Sequence, residues 1–207
     1  MLQLHKGTMR KYYKYQAWVQ PILTSNGTMG GGSFACTSST AESSYPAWKA
    51  FDGDKVTNTS RWGATSSSVP QWLSFYNPTK IMVTNIAITQ RSNTTDHLTS
   101  GIIQASDDNI NWIDIKNWTN DNSTAGATWD INLSDNINSY KYYRIYITGY
   151  SHSSGTWVNI VEATITAFTI TEGTSSDYDY YEDVEVLQAP SEYDYDTNSV
   201  KVYALNR

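Results

Sequence analysis

The chain has 207 residues and a net charge of −6, with only 16% charged residues but 14% aromatic ones, among them eight Trp and sixteen Tyr. A single cysteine, Cys36, excludes an intrachain disulfide and a thiolate metal cluster. The charge is uneven: residues 171–207 hold nine acids against two bases, which leaves about +1 on residues 1–170 and no basic stripe for nucleic acid.

Met1–Gln16 contains no apolar signal segment and no run reaches transmembrane length, which predicts a chain made in the cytoplasm, or one that leaves it by a route this sequence does not encode. Met9, followed by Arg10-Lys11-Tyr12-Tyr13-Lys14, is a candidate native start, making residues 1–8 an upstream extension. Residues 1–24 read as a basic-aromatic N-terminal extension. A glycine-rich turn, Gly27–Gly32, and a Ser/Thr-rich stretch to Ser44 follow, and Pro46–Phe51 can make one helical turn. From Gln71 onward β-type runs recur: Trp72–Tyr76, Ile81–Gln90, Ile102–Ser106, Trp112–Trp118, Ala127–Leu133, Tyr142–Thr148 and Val158–Ile170. Polar turn clusters such as Asp107-Asp108-Asn109 and Asn120-Asp121-Asn122-Ser123 separate them.

No window carries a helical stripe, and no repeat has solenoid or propeller spacing. The pattern predicts an all-β fold, a β-sandwich or jelly roll over residues 25–170. Thr171–Ser176 reads as a linker into an acidic, Tyr-rich tail, 171–207, in which Val184–Leu187 and Val200–Leu205 are candidate strands.

Catalytic signatures are missing. There is no Gly-x-Ser-x-Gly elbow, no His-Glu-x-x-His and no phosphate loop, so a non-enzyme is expected. Cys36 is expected to be a small buried hydrophobe, and Asp107-Asp108 a solvated turn.

The segment Tyr45-Pro46-Ala47-Trp48-Lys49-Ala50-Phe51-Asp52-Gly53-Asp54 resembles the start of a discoidin, or coagulation-factor C-type, domain of the galactose-binding-like class. Further pieces follow in the family's order: Pro70-Gln71-Trp72-Leu73-Ser74-Phe75, Ile81–Thr89, Ala105-Ser106-Asp107-Asp108-Asn109-Ile110-Asn111-Trp112, Tyr142-Tyr143-Arg144-Ile145 and Val161-Glu162-Ala163-Thr164-Ile165. The resemblance covers about residues 30–170.

It implies a structural Ca²⁺ joining the first loop to the last strand. Its ligands would be the Asp52 and Glu162 carboxylates, the Lys49, Asp54 and Val161 carbonyls, and the Thr57 hydroxyl and carbonyl. Hard cations take such oxygens at about 2.3–2.6 Å. In the family a Trp follows the Thr by two residues, whereas Trp62 lies five after Thr57. Either the loop is longer, or Thr59 or Ser60 takes the role. The alternative is that Asp52 and Asp54 are turn residues and Glu162 a surface charge.

The resemblance also places ligand sites on loops at one end of the sandwich. Candidates for gripping a sugar are Trp62, Arg91, Asn93, His97, His152 and Trp157, with Asp96 and Trp48 nearby. For Trp48, Trp62 and Trp157 burial beneath the loops is the competing reading, and for His97 and His152 a solvated loop position. The loops 94–100 and 151–156 are too polar for membrane insertion.

The flanking segments, Lys-Tyr-Tyr-Lys-Tyr at residues 11–15, Gln20–Gly31 and Tyr203-Ala204-Leu205-Asn206, resemble phage and prophage structural proteins of Gram-positive gut bacteria. That likeness implies a virion location, virion partners, a homo-oligomer and a bacterial surface glycan as ligand. The alternative is a purely structural virion component whose tail cements neighbouring subunits.

Overall fold

Side chains alternating at period two decide which way each strand faces. In β8 (Tyr140–Ser151) Tyr143, Ile145 and Ile147 are buried, while Tyr142, Arg144 and Tyr146 stand on the other face. The structure, a computed structural model, describes residues 5–92, 96–152, 157–173, 180–188 and 202–204. They fall into two compact units, Ala17–Thr169 and a second made of Met1–Gln16 with Ile170–Arg207.

The larger unit is an antiparallel β-sandwich. One sheet runs β2 (Ala35–Ser38), the first half of β4 (Gln71–Thr89), β8, β5 (His97–Ser106) and β6 (Ile113–Thr119). The other runs β7 (Thr128–Asn132), the second half of β4, and β10 (Glu162–Gly173). Strand β4 belongs to both. Its register breaks between Tyr76 and Ile81, the kind of irregularity that lets one strand turn a corner between sheets. The sequence separated these two runs; the structure joins them through the Asn77-Pro78-Thr79-Lys80 corner. A small ladder of β3 (Trp62–Gly63) and β9 (Asn159–Ile160) closes one end, and Ala47–Ala50 makes the single 3-10 turn expected near Pro46.

Apolar side chains from both sheets fill the space between them. Phe75 stacks on Tyr143 with ring centroids 5.5 Å apart, and Phe51 meets Phe34 and Phe75 edge-on. Each such ring or Ile removed from water contributes about 1.5–3 kcal/mol. The Tyr143 hydroxyl donates to the Ile81 carbonyl at 2.7 Å, and burial pushes its pKa up to about 12. Cys36 is buried, and its thiol is likewise pushed up to about 12, which leaves it inert. At Gly101 the Trp118 ring and the Tyr146 carbonyl occupy the space a Cβ would need. Gln20 caps β10 like an extra strand: its amide donates to the Ala163 carbonyl at 3.1 Å and accepts the Ile165 N–H at 2.6 Å.

In the smaller unit β1 (His5–Trp18) pairs antiparallel with β11 (Tyr180–Gln188), from His5 opposite Gln188 to Tyr13 opposite Tyr180. β11 in turn pairs with β12 (Val202–Ala204). The two terminal segments, which the sequence presents as unrelated extensions, are thus strand partners. Residues 174–179 and 189–201 of the tail lie outside the described residues.

Candidate functional site

The β3–β9 ladder organises the loop end of the larger unit. Glu42 donates its N–H to the Gly63 carbonyl at 2.9 Å, and Gly63 donates to the Tyr45 carbonyl at 3.0 Å, so the 42–45 turn is clamped onto β3. A side chain at position 63 would press on Tyr45, its Cβ only 3.3 Å from that of Tyr45. The Tyr45 ring lies 5.6 Å from Trp157, tilted by 51°. Over its face sits the Arg61 guanidinium, with Cζ 3.7 Å from the ring centroid, a cation–π contact. Arg61 is only 4% exposed, and its Nη1 donates to the Asn58 carbonyl.

Other loops converge on the same place. The Asn58 side chain accepts the Ser92 N–H at 3.0 Å and donates to the Ser92 hydroxyl at 2.9 Å, tying the 58–61 loop to Arg91. Arg91 faces the buried Asp96 carboxylate across 3.9 Å. Asn159, on β9, donates to the Trp157 carbonyl and to the Tyr150 hydroxyl, both at 2.9 Å. Burial first, and then the Asp96 charge, push the Tyr150 hydroxyl well above its ordinary pKa. The Tyr150 ring stacks on His152, and His97 stands opposite Ser151 in the β5–β8 register.

Of the sugar-site candidates, Arg91, Trp157, His152 and Asp96 therefore come to one end of the sandwich with His97, while Asn93 lies outside the described residues. Trp62 requires a correction. It is 0% exposed, and its indole N–H donates to the Thr40 carbonyl at 2.9 Å. It is a core residue, buried because β3 lies inside the closed end of the sandwich, and offers no face to a ligand. Trp48 is partly buried and packs against the core. Tyr45, Arg61, Tyr150 and Asn159 were not singled out in the sequence. The signal available for two of them was proximity to the motif itself: Tyr45 opens it, and Arg61 precedes Trp62.

The second polar locus is the loop after the 3-10 turn. Glu162, 2% exposed at the start of β10, accepts the Gly53 N–H at 3.2 Å. Burial, and next the Asp52 carboxylate, push its pKa up to about 8. Asp52 accepts the Asp54 N–H at 2.9 Å and the Ser60 hydroxyl. Asp54 itself folds back as a turn residue, accepting the N–H groups of Val56 and Thr57 at 2.9 Å, which lowers its pKa. The Thr57 hydroxyl is engaged with Asp54, and the Thr57 carbonyl accepts the Ser60 N–H. It is Ser60, one of the residues left open as a replacement for Thr57, that places a hydroxyl on Asp52. Lys49 spans the loop, its ammonium donating to the Ser44 and Thr59 carbonyls at 3.1 Å. Val161 donates its N–H to the Thr89 carbonyl, which fixes the start of β10 beside this loop.

The donor chemistry fits a hard cation. Two carboxylates repel each other, one of them almost wholly out of water and pushed toward its protonated form, a repulsion that a positive ion would relieve. Among the described residues no third carboxylate, histidine or cysteine joins the pair, so further ligands would come from hydroxyl and carbonyl oxygens.

The sequence model of the F5/8 type C domain matches residues 35–163, from β2 to the start of β10. The chain belongs to this family. Both loci described above lie within the matched region. No match is found among curated proteins. Among solved structures, the chain is similar to the family 32 CBM from C. perfringens NanJ in complex with galactose, at 23% identity and a TM-score of 0.52, covering 66% of this chain and 93% of that one. A CBM32 from Clostridium perfringens in complex with GalNAc-β-1,3-galactose matches at 16% identity and a TM-score of 0.53, covering 66% and 95%. The chitosan-binding module 2 of a Paenibacillus sp. IK-5 chitosanase/glucanase, in complex with chitotriose, matches at 22% and 0.51, covering 63% and 94%. These likenesses place the fold of this F5/8 type C domain.

Proposed function

We propose that this F5/8 type C domain is a non-catalytic glycan-binding module whose sugar site is the loop end formed by Tyr45, Arg61, Arg91, Tyr150 and Trp157. The supporting observation is the partly buried Trp157 ring, tilted against Tyr45, whose own face carries the Arg61 guanidinium. Aromatic faces take the C–H face of a sugar, while guanidinium and amide donors hold its hydroxyls. Galactose and GalNAc-β-1,3-galactose, present in two of the similar structures, have this chemistry. The reading is one of binding alone.

Asp52 and Glu162 would hold a structural calcium ion, with the Ser60 hydroxyl and loop carbonyls beside them. Bound there, the ion supplies positive charge that neutralises the two carboxylates and ties the loop to β10. Through the likeness of its flanking segments to phage proteins, we place the module on a phage particle, where it would meet bacterial surface glycan. Mass spectrometry of purified virions tests that placement, and the absence of the chain from them would remove it.

A glycan array carrying bacterial surface polysaccharides, probed with the full chain and with Trp157→Ala, tests the binding reading. Wild-type signals that vanish in the variant are expected. Silence of the wild type across the array, or a variant that binds as well, would refute the reading.

A further inference from the structure

We infer that the loop-end site selects anionic glycans, taking a sugar ring that bears a carboxylate or phosphate in preference to its neutral counterpart. The inference rests on the glycan-binding reading above and narrows its ligand.

Two arginines enter this site, and their charge is poorly balanced. Arg61, 4% exposed, has its Nη1 on the Asn58 carbonyl, and its Nε meets no acceptor among the described residues. Arg91, whose side chain is 16% exposed, likewise has a buried Nε without an acceptor among the described residues. The carboxylate facing it, Asp96, stands 3.9 Å away, at the outer limit of an ion pair. Asp96, Arg91 and Arg61 all act on the Tyr150 hydroxyl, which puts these three charges in one neighbourhood. Within this trio two cations face one anion, a net positive charge. Residues 93–95 and 153–156 consist of Asn, Thr, Ser and Gly, so the adjoining stretches of sequence bring no acid to cancel it.

Buried charge of one sign is costly unless something of the opposite sign is supplied. Burial, and then the neighbouring Arg91 charge, push the Arg61 guanidinium below its ordinary pKa, so the two cations oppose each other. Guanidinium is also the side-chain group whose flat fork of donors matches carboxylate and phosphate oxygens. The tilted Tyr45–Trp157 pair adds an apolar face for a ring. A ligand with one anionic group on a sugar ring answers both features, whereas a neutral sugar answers only the second.

The test is calorimetric titration of the full chain with three probes, galactotriose, trigalacturonate and galactose 1-phosphate. Galactose is the reference sugar because a similar solved structure holds it. An added charge-assisted hydrogen bond in a buried site predicts that at least one acidic probe binds about ten-fold or more tighter than galactotriose. The two acidic probes distinguish carboxylate from phosphate as the source of the charge. High salt should weaken the acidic probe and leave the neutral one almost unchanged. Arg91→Gln should bring the ratio of acidic to neutral affinity to about one. Should that variant fail to fold, the salt dependence of the wild type still decides. Galactotriose binding as tightly as both acidic probes, lost in Trp157→Ala, would overturn the charge preference and leave the glycan reading standing. No binding of any probe would overturn both.

Discussion

Glu162 at the start of β10 accepts the Gly53 N–H at 3.2 Å, which brings its buried carboxyl into the field of the Asp52 carboxylate in the first loop. This contact joins the two ends of the family motif, and its charge makes it a place where a cation would stabilise the fold. Adding calcium to chelator-treated protein should therefore raise stability, by about 2.7 kcal/mol at roughly a hundred-fold excess over Kd. That corresponds to a rise of several degrees in Tm for a domain of this size. Glu162→Gln should abolish the calcium response and raise the Tm measured in chelator at alkaline pH. Scanning calorimetry reads both, and an unchanged wild-type Tm on adding calcium would remove the cation from the account.

The same carboxyl predicts a pH dependence. Burial and Asp52 hold Glu162 at about 8 rather than its ordinary 4.5, so the folded chain binds this proton more tightly than the unfolded one. A group raised in this way contributes stability that is complete below pH 4.5 and is lost as the pH climbs through 8. In chelator the urea midpoint should fall across that window, and in Glu162→Gln it should be flatter. A wild-type midpoint that rises over the same range would contradict the assigned environment.

Trp62 packs inside the closed end of the sandwich and bonds Thr40 through its indole N–H. Trp62→Phe should cost about 1–3 kcal/mol through the lost hydrogen bond and the space left behind. Denaturant unfolding measures this cost. A change in sugar affinity with no loss of stability would return Trp62 to the ligand site.

Gly101 lies beneath the Trp118 ring, and a Cβ there would collide with that ring and with the Tyr146 carbonyl. Because one of these obstacles is backbone, Gly101→Ala should destabilise by about 1–3 kcal/mol or more. Urea unfolding checks it, and an unaltered midpoint would show that the β5–β6 packing differs from that described.

Much of the sandwich was legible in the sequence because alternation is local. Val83-Thr84-Asn85-Ile86 and Tyr143-Arg144-Ile145-Tyr146 announce strands without knowledge of any partner. The meeting of Asp52 with Glu162 was legible through the order of the family motifs. The loop-end cluster was only half readable. Tyr45, Arg61, Arg91 and Trp157 come from separate loops and Tyr150 from the end of β8, and the β3–β9 ladder with the Gly63–Tyr45, Asn58–Ser92 and Asn159–Tyr150 bonds brings them together. Trp62 and Trp157 look alike in sequence, since a Trp serves equally as core filler or as a platform, and burial alone separates them. The β1–β11 pairing was hidden for a related reason: its partners lie at opposite ends of the chain, and neither segment shows which strand it joins.

The claim that sugar contacts the Trp157–Tyr45 pair is tested most directly by following Trp indole N–H resonances in a nitrogen–proton correlation spectrum during titration with galacto-oligosaccharides. The account predicts that the Trp157 signal shifts saturably while the Trp62 signal, bonded to Thr40, stays in place. Saturable shifts elsewhere in the spectrum with Trp157 unmoved would contradict it.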